Sequence, residues 1–414
     1  MAAEGLIRSY GALLAGALVP IYCAAQASIQ VPKSIKSKWR QLDGKDKQAE
    51  AEEEDDDVER LTTEDAYLFP ILGSVVLFGL FLAFKYLDKK LLNKILGGYL
   101  AIMATGAIGR TLGDVAKRVI GEKRMRGADK YEVSFSKNKE GVLKYSFTKL
   151  HVAAGVGALA LTAAQQYSQH WILSNLLALS FAYSAISLFY LDSFATASIL
   201  LGGLFFYDVW WVFGSKAVFG QGADVMVSVA KNFDAPIKIV FPKDLANAKD
   251  FTLLGLGDIV LPGAFLALAL RFDYHRATSR ALASSTRPPR PTDRYPRTYF
   301  HASFLAYIAG LVTTIFVMHH FRAAQPALLY LSPACVGSVT LVSLVRGESK
   351  EMWGWEDGEE ERKAREKREK DAADKKETDK KESSGNSKVV ATAETTSIEV
   401  DGGRVLTSRA SRTD

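Results

Sequence analysis

Apolar residues along this chain gather into long runs separated by charged connections. Windows of roughly 17 to 25 residues, the length needed to cross about 30 Å of hydrocarbon, recur near 5–27, 67–87, 91–113, 150–168, 171–190, 196–214, 251–270, 299–321 and 326–345. The pattern predicts an all-α polytopic membrane protein of nine spans. The first window also has features of a cleaved secretory signal, because its apolar core ends in the small residues Ala24, Ala25 and Ala27. Lys33, Lys36, Lys38 and Arg40 follow it, however, and only Arg8 precedes it, the reverse of a signal peptide's charge distribution, so a retained first helix is expected.

A different period interrupts the helical pattern between the sixth and seventh windows. Val225, Val227 and Val229 alternate with Met226, Ser228 and Ala230, and Ile237, Ile239 and Phe241 alternate around Lys238, with Asn232 to Pro236 as a turn. This predicts a short luminal hairpin, which would either cover the bundle or offer an edge strand to an unwound peptide.

Composition adds to this picture only when read by segment. The 48% hydrophobic and 24% charged residues belong to different parts of the chain: apolar spans on one hand, an acidic run at 49–57 and a Lys/Glu/Asp run at 350–381 on the other. Both runs read as solvated, unstructured sequence. Trp353 and Trp355, just past the last window, suit an interfacial anchor. Basic residues concentrate in the 28–65, 114–149 and 271–298 connections and in the tail, which all fall on one side; the positive-inside rule makes that side cytosolic and the N-terminus luminal. The expected organisation is a first helix at 1–27, a charged cytosolic loop at 28–65, helices two to five at 66–190, helices six to nine at 191–346 and a disordered charged cytosolic tail at 347–414.

Several chemistries drop out. Cys23 and Cys335 both lie in apolar spans and suggest no disulfide framework. No His-Glu-x-x-His or Cys-x-x-Cys pair exists, so neither a catalytic zinc site nor another metal is expected, and the Gly-x-Ser-x-Gly turn of a serine hydrolase is absent. Carboxylates remain. Asp208 and Asp258 stand alone within the sixth and seventh windows, each at a cost of about 2.5 kcal/mol or more on insertion scales, and so call for a functional explanation. Counting about 1.5 Å per residue from Thr196 and from Phe251 puts them about 18 Å and 10 Å from opposite faces, nearly the same depth. Two facing carboxylates in low dielectric share one proton, the arrangement of an aspartic protease; an ion or proton transporter also keeps intramembrane carboxylates, and the bare pair leaves both readings open.

Three motifs appear in order: Tyr207-Asp208 on the sixth window, Gly255-Leu256-Gly257-Asp258 on the seventh, and Gln325-Pro326-Ala327-Leu328 opening the ninth. In these the chain resembles the Gly-x-Gly-Asp intramembrane aspartyl proteases, the group that includes presenilin, and within them the signal peptide peptidase family. The likeness runs from about Leu188 to Val345 and takes in Phe233 to Lys238 and Thr313 to His319. It implies that Asp208 and Asp258 are the catalytic pair and that Pro326-Ala327-Leu328 packs against them, with Tyr207, Gly255, Leu256, Gly257 and Gln325 shaping the site. It further implies a presenilin-like fold, no cofactor, residence in the endoplasmic reticulum membrane, and transmembrane peptide substrates: remnant signal peptides and type II membrane proteins. A homo-oligomer or quality-control partners in that membrane are compatible with it, and a nucleic acid is not expected. The stretch Ser215 to Ala223 is longer than the family's short turn. A noncatalytic scaffold that captures membrane helices is a third class of function beside protease and transporter. From the residues alone, Gly255 and Gly257 would open the backbone beside Asp258, while small-residue helix packing and a first-turn role for Pro326 are the plainer readings.

Overall fold

The computed structural model describes residues 2–42, 60–120, 130–137, 140–215, 218, 238–243, 250–321 and 325–359. Its helices are α1 (Ala2–Ala27), the short α2 (Lys33–Leu42), α3 (Thr63–Tyr86), α4 (Lys89–Ile120), α5 (Lys149–Ser168), α6 (Trp171–Leu188), α7 (Phe194–Val209), α8 (Gly257–Ala283), α9 (Thr298–Phe321), α10 (Leu328–Val345) and the short α11 (Ser349–Trp353). Strands are β1 (Arg60–Leu61), β2 (Lys130–Lys137), β3 (Glu140–Thr148), β4 (Tyr190–Leu191), β5 (Lys238–Pro242) and β6 (Phe251–Gly255). A long helix stands at each apolar window, and the protein is a mostly helical, multi-pass membrane protein. Among the described residues, seven helices are long and apolar enough to cross a membrane. The other two are α5, which carries Gln165 and Gln166 in its last turn, and α8, which carries Asp258, Arg271, Asp273 and Arg276.

α8 is the axis of the bundle. Ala264 through Phe272, apart from Arg271 all apolar, are buried without a break, the signature of a helix enclosed on every side. α1, α6, α7, α9 and α10 pack around it. α3 is as apolar but leaves Tyr67, Leu68, Ile71, Leu72 and Val75 exposed, which suits a helix facing lipid. α3 and α7 run parallel: Thr63 and Thr196 share a hydroxyl bond of 2.8 Å at one end, β1 pairs in parallel with β4 beside it, Pro70 fills the space at Gly203, and Trp211 Nε1 donates to Ser74 Oγ (3.2 Å) further along.

Two expectations change. The window at 251–270 is not one continuous helix: 251–255 is a strand, paired antiparallel with β5, and α8 begins only at Gly257. Alternating exposure at Phe251, Thr252 and Leu253 fits a strand, and the glycines at 255 and 257 give little support to a helix extended upstream. α8 then continues past residue 270 into what read as a connection. Of the hairpin expected from 225 onward, Ile239 and Phe241 do lie on a strand, β5, but its partner is β6 rather than the segment around Val225, Val227 and Val229; that segment, the Asn232 to Pro236 turn and Ile237 lie outside the described residues, as do the acidic run, most of the 215–223 stretch and the tail from 360. The hairpin β2–β3, in the connection after α4, had not been expected.

The described residues up to Asp357 form one compact unit, which thus runs on past α10. Trp355, expected as an interfacial anchor, packs on Phe194, Phe272 and His275. Arg271 pairs with Asp357 (2.8 Å), and Arg276 pairs with Glu348 and Glu351. Asp273 accepts the N–H groups of Tyr299 (3.3 Å) and Phe300 (2.9 Å), capping α9 from a neighbouring helix.

Candidate active site

Both lone aspartates sit against the start of a helix. Asp208 lies within α7, only 5% exposed, and its Oδ2 accepts the N–H of Leu328, the first residue of α10, at 3.3 Å. The N-cap of α10 is Ala327, which has no side chain to offer, so a carboxylate from another helix satisfies one of the free donors there. Pro326 is buried just ahead of it, and its carbonyl accepts from Leu329 (3.3 Å), the tight turn from which α10 departs. This is a physical role for Pro326-Ala327-Leu328: a fixed φ and a cap without a side-chain acceptor leave a backbone N–H for Asp208. Gln325 is half-buried beside them.

Asp258 is in the first turn of α8, where the positive end of the helix favours a carboxylate. Gly255 ends β6, Leu256 caps α8 and accepts the N–H groups of Ile259 (3.0 Å) and Val260 (2.8 Å), and Gly257 opens the helix. A Cβ at Gly255 would stand 3.5 Å from Asp258 Oδ2, whereas one at Gly257 would meet no atom within 4 Å. Asp258 is half-buried and Gly257 exposed, so the backbone beside this carboxyl is accessible. The two carboxyl groups are close enough for the charge on Asp208 to act on Asp258. Immediately after Asp208, α7 widens into a π-helical turn, Trp210–Gly214, a distortion often found at functional sites.

The Tyr207 ring lies 3.6 Å from the Cβ position of Gly73 on α3 and edge-on to Trp211, an aromatic packing role, while its hydroxyl stays within electrostatic reach of Asp208. Tyr307 on α9, absent from the residues expected at the site, is fully buried and its hydroxyl donates to the backbone carbonyl of Asp258 (3.2 Å). The signal that could have found it is Pro262, four residues after Asp258. Among the described residues no group of three His, Cys, Asp or Glu side chains is placed to hold a metal ion. Two carboxyls held this way can divide proton-accepting and proton-donating roles on a peptide bond.

A family model described as signal peptide peptidase matches residues 53–359. The chain is 38% identical to human signal peptide peptidase over 363 residues, covering 86% of this chain and 85% of that protein, and equally identical to its mouse counterpart. A probable intramembrane protease of Schizosaccharomyces pombe is 35% identical over 73% of this chain and 86% of its own length.

Proposed function

The chain belongs to the signal peptide peptidase family, and we propose that it is an intramembrane aspartyl endopeptidase using Asp208 and Asp258. The observation that carries this reading is that two carboxyls from separate helices come within electrostatic reach of each other, one bound to the first N–H of α10 and the other in the first turn of α8. Like charges at that range leave the pair sharing one proton. The ionised member takes a proton from water as it attacks the scissile carbonyl, and the protonated member polarises that carbonyl. The relatives' names indicate signal peptides as substrates, and type II membrane segments share the orientation of signal peptides. The endoplasmic reticulum membrane, with the N-terminus luminal and the C-terminus cytosolic, is the setting that goes with them.

The hairpin offers such a substrate a place to bind. The outward backbone groups of Val240 on β5 are taken by Asn175 of α6, whose Nδ2 donates to the Val240 carbonyl (2.7 Å) and whose Oδ1 accepts the Val240 N–H (2.9 Å). β6 has no second strand beside it among the described residues, and it leads straight into Gly255-Leu256-Gly257-Asp258. An unwound substrate pairing along β6 would be carried to the accessible backbone at Gly257.

The test is to incubate detergent-purified protein with a synthetic signal peptide and identify products by mass. Cleavage inside the apolar stretch, blocked by a peptide mimic whose hydroxyl replaces the attacked carbonyl, supports the proposal. An intact peptide would leave transport or helix capture as the function.

A further inference from the structure

Asp258 begins α8 with a defect in its backbone. In a regular helix each carbonyl accepts the N–H four residues on, and for Asp258 that residue is Pro262, which has none. The first turn itself is closed by the Leu256 carbonyl, but the next bond of the ladder is missing, and a carbonyl left without a donor in a lipid-embedded core is costly. The Tyr307 hydroxyl donates to this carbonyl at 3.2 Å from a ring that is 0% exposed. Gly263, next to Pro262, lets α8 sit close to the rest of the bundle, since a Cβ there would fall 2.6 Å from Ile186 and 3.2 Å from Ile21.

The other carboxyl is reached from the same helix. One turn beyond Tyr307, Gly310 lets the start of α10 approach closely: a Cβ there would lie 3.2 Å from Leu331 and 3.3 Å from the Tyr330 carbonyl. α10 in turn aims the Leu328 N–H at Asp208. The geometry points to Tyr307 as a positioning residue for the reaction: its hydroxyl replaces the N–H that Pro262 removes and so fixes the turn that aims Asp258 at Asp208. The inference rests on the reading of Asp258 as half of a catalytic pair. A buried tyrosine that only needs a hydrogen-bond partner would show the same contact but would not be coupled to Pro262.

A double-mutant cycle separates these meanings, using full-length protein in detergent, a synthetic signal peptide, and separate kcat and KM values. Tyr307→Phe keeps the ring and is expected to lower kcat about tenfold, the scale of one hydrogen bond, with KM within about twofold. In a Pro262→Ala background, where residue 262 again carries an N–H, the same Tyr307→Phe change is expected to cost less than about twofold. Pro262→Ser supplies the same N–H if the alanine variant does not fold. Wild-type kcat in Tyr307→Phe, or an equal loss in both backgrounds, overturns the role of Tyr307. Asp258→Asn assayed alongside tells the two failures apart: if it is inactive while Tyr307→Phe is unaffected, only the positioning role falls, and if it stays active, the pair itself is refuted.

Discussion

A carboxylate in hydrocarbon is tolerated where a donor or a helix's positive end awaits it: Asp208 accepts the Leu328 N–H, and Asp258 sits in the first turn of α8. The Leu328 N–H at Asp208 depends on how α10 is launched, so Pro326→Ala, which frees φ at the turn, is expected to reduce cleavage by about 100-fold at unchanged expression, the scale of a small misplacement of catalytic groups. A near-normal rate would return Pro326 to an ordinary first-turn proline. Gly257 gives a complementary prediction. Its Cβ position is open, so Gly257→Leu should leave the thermal midpoint unchanged or raised while lowering activity at least about tenfold by filling the approach to Asp258. If turnover survives, substrate does not pass there. The aspartates were legible in sequence because a lone charge in an apolar run is costly wherever it folds. Tyr307 was not, because Pro262 marks in the sequence only that a carbonyl lacks its donor, and not which residue of another helix supplies one. Tyr207, next to Asp208 in the chain, packs its ring on α3, a contact that neighbours in a helix make by pointing in different directions.

At the scale of elements, apolar runs of span length announced the helices reliably, since lipid forces the backbone to satisfy itself within each segment. β6 stayed hidden: Phe251 to Leu254 is mostly apolar, so its period could not be told from the helix that follows, and only Gly255 and Gly257 mark the break. The ion pairs beyond α10 were equally invisible, since the charges of 271–280 and 346–357 read as loop and tail until the fold brings them together. There, partial burial works against ionisation of Glu348, but hydrogen bonds from Arg276, Tyr299 and Arg346 prevail and hold its carboxyl down at about 2 against an ordinary 4.5. A depressed folded-state value stabilises the fold above pH 4.5, and that contribution is lost as pH falls from 4.5 toward 2. Thermal midpoints in detergent across this range should therefore fall more steeply for wild type than for Glu348→Gln. Parallel curves would show that the cluster does not contribute to stability.

Over the whole molecule, α3 and α7 start from the same end and run parallel, as alternating spans two and six must. The ends rich in Arg271, Arg276, Arg280 and Arg346 meet at one side of the bundle, which the positive-inside rule would make cytosolic. Asp208 then lies on a helix running toward the lumen and Asp258 on one running back. A site of fixed handedness accepts one chain direction, so a substrate span with a cytosolic N-terminus should be cut at least about tenfold faster in microsomes than the same span inverted. Equal rates would refute the orientation. Replacing Gly, Ser, Asn or Pro in that span by Leu should slow cleavage, because a stiffer helix exposes its peptide bonds less readily. The most direct test of the catalytic pair is turnover of a synthetic signal peptide by purified wild type, Asp208→Asn and Asp258→Asn. The expected result is a loss of at least about 10⁴-fold in each variant with the thermal midpoint retained. Turnover within tenfold of wild type by either variant, a difference of only about 1.4 kcal/mol, would contradict it.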